Sequence, residues 1–155
     1  MLETELTRRS DGIRCLQTGP DFIAGTAGKE ANRIDYTESK EEIRKNEKEL
    51  LSKALNIPLS SLFFLDQEHG DDVLEAASPS DEHSYVFAAG DALVTGRESF
   101  CLVIRTADCV PVILADPVTK SAGAVHSGWK STEKKITAKT LRIMKEQFGS
   151  RPEDI

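Results

Sequence analysis

Cys109 stands just before the apolar run Val110-Pro111-Val112-Ile113-Leu114-Ala115, and His126 just after the next, Ala122-Gly123-Ala124-Val125. A turn at Asp116-Pro117 separates them. Two strands that pair antiparallel through such a turn bring the start of the first beside the end of the second. Cys109 and His126 are then neighbours at one edge of a sheet, either as metal ligands or as a nucleophile and its base. His69 stands in a comparable place, where the strand-like Ser61-Leu62-Phe63-Phe64-Leu65-Asp66 runs into Gln67-Glu68-His69-Gly70. Two imidazoles and a thiolate suit zinc and leave one position open for water or substrate, as in a catalytic site. Copper accepts the same donors, but one Cys and two His are too few for a multicopper centre. No short metal motif spans these positions, and the absence of a CxxC pair excludes a zinc finger or ribbon.

The elements that must position these residues are short. Ile13 to Thr18 and Phe22 to Thr26 read as strands around Gly19-Pro20, with Cys15 as a buried small hydrophobe. Residues 1–10 read as polar and loosely held, and residues 27–37 as loop. The period predicts a helix from Thr37, its N-cap, to Leu55, with Glu38, Glu41 and Glu42 in the first turns. Ile43, Leu50, Leu51, Ala54 and Leu55 form its apolar stripe, and Asn46 and Glu47 fall on the same stripe. Asn46 is either a satisfied core amide or a group that looks into a site.

Val73 to Ala76 reads as a strand returning from the His69 turn. Residues 78–85 read as a polar loop with a solvated His83, and Gly90 to Thr95 as a short strand. Phe100 to Ile104 is continuously apolar, which predicts a strand buried on both faces with Cys101 in the core. A second helix is expected from Ser131 to Phe148, with Ile136, Thr140, Ile143, Met144 and Phe148 on one stripe and Gly149 and Pro152 at its end. Lys130, Lys134 and Lys135 crowd its start. They form a solvated face or, with backbone N–H groups, a phosphate seat centred on Lys130.

The chain has 155 residues and a net charge of −6. That length suits a single domain, 1–155, and the mixed pattern predicts an α+β fold with a mixed β-sheet covered by helices. No basic stripe suggests nucleic acid, and no apolar run reaches the length of a membrane span. The N-terminus lacks the pattern of an export signal. The three cysteines therefore read as reduced thiols of a cytoplasmic protein. Nothing in the pattern addresses oligomeric state.

Four blocks occur in order: Gln67-Glu68-His69-Gly70, Gly90-Asp91-Ala92, Thr106-Ala107-Asp108-Cys109-Val110-Pro111-Val112 and Ala124-Val125-His126-Ser127-Gly128-Trp129-Lys130. Together they resemble the signature of the laccase-domain family, first described as multicopper polyphenol oxidases and now regarded as purine nucleoside phosphorylases. The resemblance covers roughly residues 10 to 155. It implies that His69, Cys109 and His126 bind the metal and serve catalysis, with zinc ahead of copper. It also implies Asn46, Asp91 and Lys130 as substrate or phosphate contacts, and purine nucleosides and phosphate as small-molecule partners. The activity it implies is phosphorolysis of adenosine, inosine or guanosine, with adenosine deamination by a metal-activated water alongside.

The chain departs from the family pattern at Asn46-Glu47, where an Asn-Arg pair is usual, and at Gly128-Trp129-Lys130-Ser131, where Gly-Trp-Arg-Gly is usual. Lysine keeps the charge there but loses the bidentate fork. Family members also run beyond the equivalent of Ile155 into a block that helps wall the pocket, so the chain is expected to lack the C-terminal part. The alternatives are a copper polyphenol oxidase, a metal-free hydrolase with Cys109 as nucleophile and His126 as base, and a truncated non-catalytic relative.

Overall fold

The structure, a computed structural model, describes residues 6–8, 13–17, 23–27, 37, 39–79 and 87–155. His83 and most of the loop around it lie outside the described residues. The chain divides into two compact units, Met1–Leu59 and Ser60–Ile155. The protein is α+β, with mixed strand pairing and, among the described residues, three α-helices.

The first unit holds a three-stranded antiparallel sheet of β1 (Leu6–Arg8), β2 (Ile13–Gln17) and β3 (Ile23–Ala27), in that order. The two strands expected after residue 10 are thus present, and a third precedes them. Helix α1 spans Lys40–Leu55. Its N-cap is Ser39 rather than Thr37, because the Ser39 side chain accepts the N–H of Glu42 at 3.2 Å. Asn56 closes it in a left-handed conformation. The buried positions on α1 are Arg44, Glu47 and Lys48, whereas the expected stripe is only half-buried. All three of these residues have interaction partners, so burial on α1 follows charged side chains and not the apolar stripe.

The second unit is built on a four-stranded sheet. Its order is β5 (Val73–Glu75), β6 (Ala92–Thr95), β9 (Ser121–Ser127), β8 (Val110–Asp116). β5 and β6 run parallel, and β9 runs antiparallel to both β6 and β8. A separate pair joins β4 (Leu62–Phe63) to β7 (Cys101–Leu102) in parallel. Two expectations change here. β5 does not return against β4 but pairs with β6. The apolar run at Phe100 to Ile104 contributes only two residues to a strand, and Cys101 is half-buried rather than sealed in a core. An apolar run signals burial, not the number of partners a strand finds.

The long helix expected from Ser131 is two helices, α2 (Trp129–Glu133) and α3 (Ile136–Phe148). The break is at Lys135, whose backbone is left-handed at φ 61°. Thr140, Ile136 and Met144 of α3 are fully buried and pack on the sheet face that carries Ala92, Val94, Leu114 and Val125. Gly123 of β9 permits this approach, since a Cβ there would stand 3.3 Å from both Met144 Sδ and Thr140 Cγ2. Gly149 ends α3 at φ 76°, as expected.

The β8–β9 turn is locked from within. Asp116 is fully buried and accepts the N–H groups of Val118 and Thr119 and the hydroxyl of Thr119. Ser121 and Ser150 continue the network and tie the turn to the end of α3. Burial works against ionisation of Asp116, but the hydroxyls of Ser150 and Thr119 and the two N–H donors outweigh it and hold its pKa below the ordinary value.

Candidate metal centre

One end of the four-stranded sheet collects every element of the site. β5, β6 and β8 begin there and β9 ends there. The Pro111↔His126 and Val110↔Ser127 pairs put Cys109, one residue before β8, beside the end of β9. The segment Gln67 to Asp72 leads into β5 at the same end, and Asp91 immediately precedes β6.

His69, Cys109 and His126 meet there, with their ligand atoms all within 4.8 Å of one another. Cys109 Sγ lies 3.8 Å from His69 Nε2. The imidazoles of His69 and His126 stand edge to face at a centroid distance of 4.8 Å. His126 is buried, Cys109 half-buried and His69 exposed, so the site opens to solvent on the His69 side. The donor set fits a metal ion. Tetrahedral zinc bonds of roughly 2.3 Å to sulfur and 2.0–2.1 Å to nitrogen separate two such donors by about 3.6 Å. The 3.8 Å between Sγ and Nε2 is within a small side-chain adjustment of that value.

Asp91 organises this end of the sheet. It is fully buried. Its Oδ1 accepts His126 Nδ1–H at 2.8 Å and the backbone N–H of His69 at 3.0 Å. Its Oδ2 accepts the N–H groups of Gly70 at 2.7 Å and Glu68 at 3.2 Å. Burial raises the cost of its charge, yet the His126 bond and the three backbone donors prevail and lower its pKa. With Nδ1 occupied, the lone pair of His126 is on Nε2. His69 has a left-handed backbone at φ 59°, an uncommon state for a residue with a side chain. The three consecutive N–H bonds to Asp91 hold it there. Asp91, expected as a substrate contact, thus has both oxygens engaged inside the protein.

Two further residues brace the His69 segment. Gln67 Nε2 donates to the Arg105 carbonyl at 2.8 Å, and the Arg105 N–H donates to Gln67 Oε1 at 2.7 Å. The amide thus acts as a rung between the chain leading to His69 and the chain leading to Cys109. Asp71 accepts from Lys139 of α3 at 3.2 Å and pairs with Lys134 at 3.5 Å. The Lys139 hydrogen bond is the chief reason that the Asp71 carboxyl is held below its usual range. The spacing of the sequence carried no signal for the Gln67 brace or the Asp91 cap; both depend on which strand starts become neighbours.

Lys130 is exposed on α2, with Nζ 5.5 Å from the centroid of the Trp129 ring. Asn46 lies on α1, in the first unit. Among the described residues no helix is long and apolar enough to cross a membrane.

The family model described as multi-copper polyphenol oxidoreductase laccase matches residues 28–155. The chain belongs to this family. It is 41% identical over 105 residues to a purine nucleoside phosphorylase of Deinococcus radiodurans, covering 68% of this chain and 39% of the relative. It is 40% identical over 92 residues to a purine nucleoside phosphorylase of Clostridium acetobutylicum, covering 59% of this chain and 37% of the relative. The hypothetical protein YfiH of Bacillus licheniformis superposes with a TM-score of 0.69 at 25% identity, over 96% of this chain and 58% of that one. The chain thus spans under half the length of these curated relatives.

Proposed function

We propose that the chain carries the metal centre of a purine nucleoside phosphorylase, with His69, Cys109 and His126 as zinc ligands and a purine nucleoside and phosphate as substrates. The observation that carries this reading is the convergence of the three ligand atoms beside a buried carboxylate that orients one imidazole and caps the backbone of the other. The names of the relatives supply the reaction class. Copper oxidation is less well supported, since one thiol and two imidazoles make a single site.

A zinc ion there would act as a Lewis acid on a bound water or substrate oxygen. The chain's own groups do the rest. Asp91 keeps Nδ1 of His126 protonated and aims Nε2 toward Cys109 and His69. The exposed side of His69 leaves an approach for a nucleoside. Lys130, exposed just beyond Gly128, offers a positive charge to phosphate. Asn46 is a proposed substrate contact on the family resemblance alone. Deamination of adenosine belongs to the same reading, as chemistry that a zinc held by His69, Cys109 and His126 would also supply.

The 3.8 Å between Cys109 Sγ and His69 Nε2 favours one second reading, a metal-free thiol–imidazole pair with His69, not His126, as the base. Elemental analysis of protein purified without added metal separates the two. About one zinc per chain, absent in Cys109→Ser, is the expected result, followed by phosphate-dependent release of hypoxanthine from inosine. A metal-free protein that consumes Cys109 in a covalent adduct with substrate would replace the zinc reading with the nucleophile.

A further inference from the structure

Gly128 lies between His126 and α2, against the side chains of two ligands. A Cβ built on it would stand 3.0 Å from His69 Cδ2 and 3.1 Å from Cys109 Sγ, with His69 Nε2 at 3.8 Å. Separations this short are rarely tolerated between carbon and its neighbours, so one or both side chains must move. The backbone does not ask for glycine. Gly128 has φ −70° and ψ 169°, an extended conformation open to any residue. What the position requires is empty space on the side facing the thiol and the ring.

Neither neighbour can yield without a cost to the site. The His69 backbone is held by the bonds from Glu68, His69 and Gly70 to Asp91, so only its ring can turn. Cys109 can swing its Sγ, but that carries the sulfur away from His69 Nε2, to which it is now 3.8 Å. Either response widens a pair already slightly wider than two donors on one metal ion.

We infer that Gly128 is a positioning residue: its missing side chain is what allows His69 and Cys109 to close on a single metal ion. The inference rests on the metal reading of the site and adds to it a residue that itself binds nothing. It also assigns different duties within one short stretch. His126 supplies a ligand, Gly128 supplies room for the other two, and Lys130 supplies charge beyond them.

Cobalt(II) is the probe, because a bound thiolate gives it a near-ultraviolet charge-transfer band and the visible bands report its coordination number. Wild type, Gly128→Ala and Gly128→Ser are titrated with cobalt, and the metal-free proteins are melted in parallel. The expected result is a cobalt affinity about 10- to 100-fold weaker in Gly128→Ala, a loss typical of disturbed ligand support. Its thiolate band is reduced and its metal-free melting temperature is close to that of wild type. Gly128→Ser follows Gly128→Ala or exceeds it. Equal affinity and an equal thiolate band in Gly128→Ala would overturn the inference while leaving the metal reading intact. A wild type that takes up no cobalt would overturn the metal reading itself and this inference with it. Should Gly128→Ala fail to fold, the triple variant with His69→Ala and Cys109→Ala decides the matter. Crowding against those two side chains predicts recovery of the fold, and failure to recover refutes it.

Discussion

Asp91 and His126 are joined twice. The Nδ1–H of His126 donates to Asp91 Oδ1 at 2.8 Å, and the backbone N–H of His126 donates to the Asp91 carbonyl at the same distance. The pair stands one step beyond the Ala92↔Val125 rung of the β6–β9 ladder, so strand register sets both contacts. Ring orientation at His126 is therefore part of the sheet and not a property of a loop.

Asp91→Asn tests that relationship. The amide keeps the shape but turns one acceptor into a donor facing N–H groups. Metal affinity is expected to fall about 10- to 100-fold, read by competition with a chelator of known strength. Asp91→Ala goes further and strips the N–H groups of Glu68, His69 and Gly70 of their acceptor. It should lower unfolding stability by about 1–3 kcal/mol in all, since these amides are only partly buried. Unchanged metal affinity in both variants would remove Asp91 from the support of the site.

The two described thiols are expected to differ sharply toward alkylating reagents. Burial pushes the Cys101 thiol up to about 11, which leaves almost no thiolate at neutral pH. Peptide mapping after brief alkylation of metal-free protein should find Cys109 modified well before Cys101. Added zinc should then protect Cys109 and leave the slow rate at Cys101 as it was. Equal rates at the two positions would show that the surroundings of Cys101 do not raise its pKa.

Acid should loosen the β8–β9 turn. The folded pKa of Asp116 is below its ordinary value of 3.8, so its hydrogen bonds add stability at pH values above 3.8. That contribution is lost as pH falls from 3.8 through the lower folded value. Denaturant melts of wild type and Asp116→Asn across pH 2 to 7 should show the gap between them narrowing at the acid end, on the order of that window. A gap that stays constant or widens in acid would mean that the ionised form of Asp116 adds nothing.

Gly123→Ala addresses the packing behind the site. The added methyl meets Met144 Sδ and Thr140 Cγ2 at 3.3 Å, and α3 must shift to admit it. A loss of about 1–3 kcal/mol in urea unfolding is expected, with the metal affinity of the folded fraction little changed. A stability equal to wild type would show that α3 has slack against β9.

Sequence carried the hairpin most clearly. Two apolar runs around a turn determine that Cys109 and His126 meet, and the β8–β9 register bears this out. The α3 stripe was equally legible because Ile136, Thr140 and Met144 recur at helical spacing. The break at Lys135 was not, since lysine favours helices and nothing local announces a left-handed turn. The start of α1 moved to Ser39 because Thr37 and Ser39 are both competent caps and only the Ser39 hydroxyl reaches an amide. β5 pairs with β6 through a crossover, and local pattern carries no information about such a partner. The same limit hid the brace from Gln67 to Arg105 and the cap from Asp91 to Glu68, His69 and Gly70. These contacts join residues far apart in the chain that only the strand order makes neighbours.

The cap on Asp91 has a consequence for how the site opens. Three successive amide hydrogens, those of Glu68, His69 and Gly70, share one buried acceptor with the ring of His126. The same carboxylate slows the exchange of each with solvent. Opening of the segment that presents His69 frees all three, while the His126 ring stays on Asp91 through the β6–β9 register. The two imidazoles therefore keep separate clocks, and deuterium uptake at residues 68–70 times His69 alone.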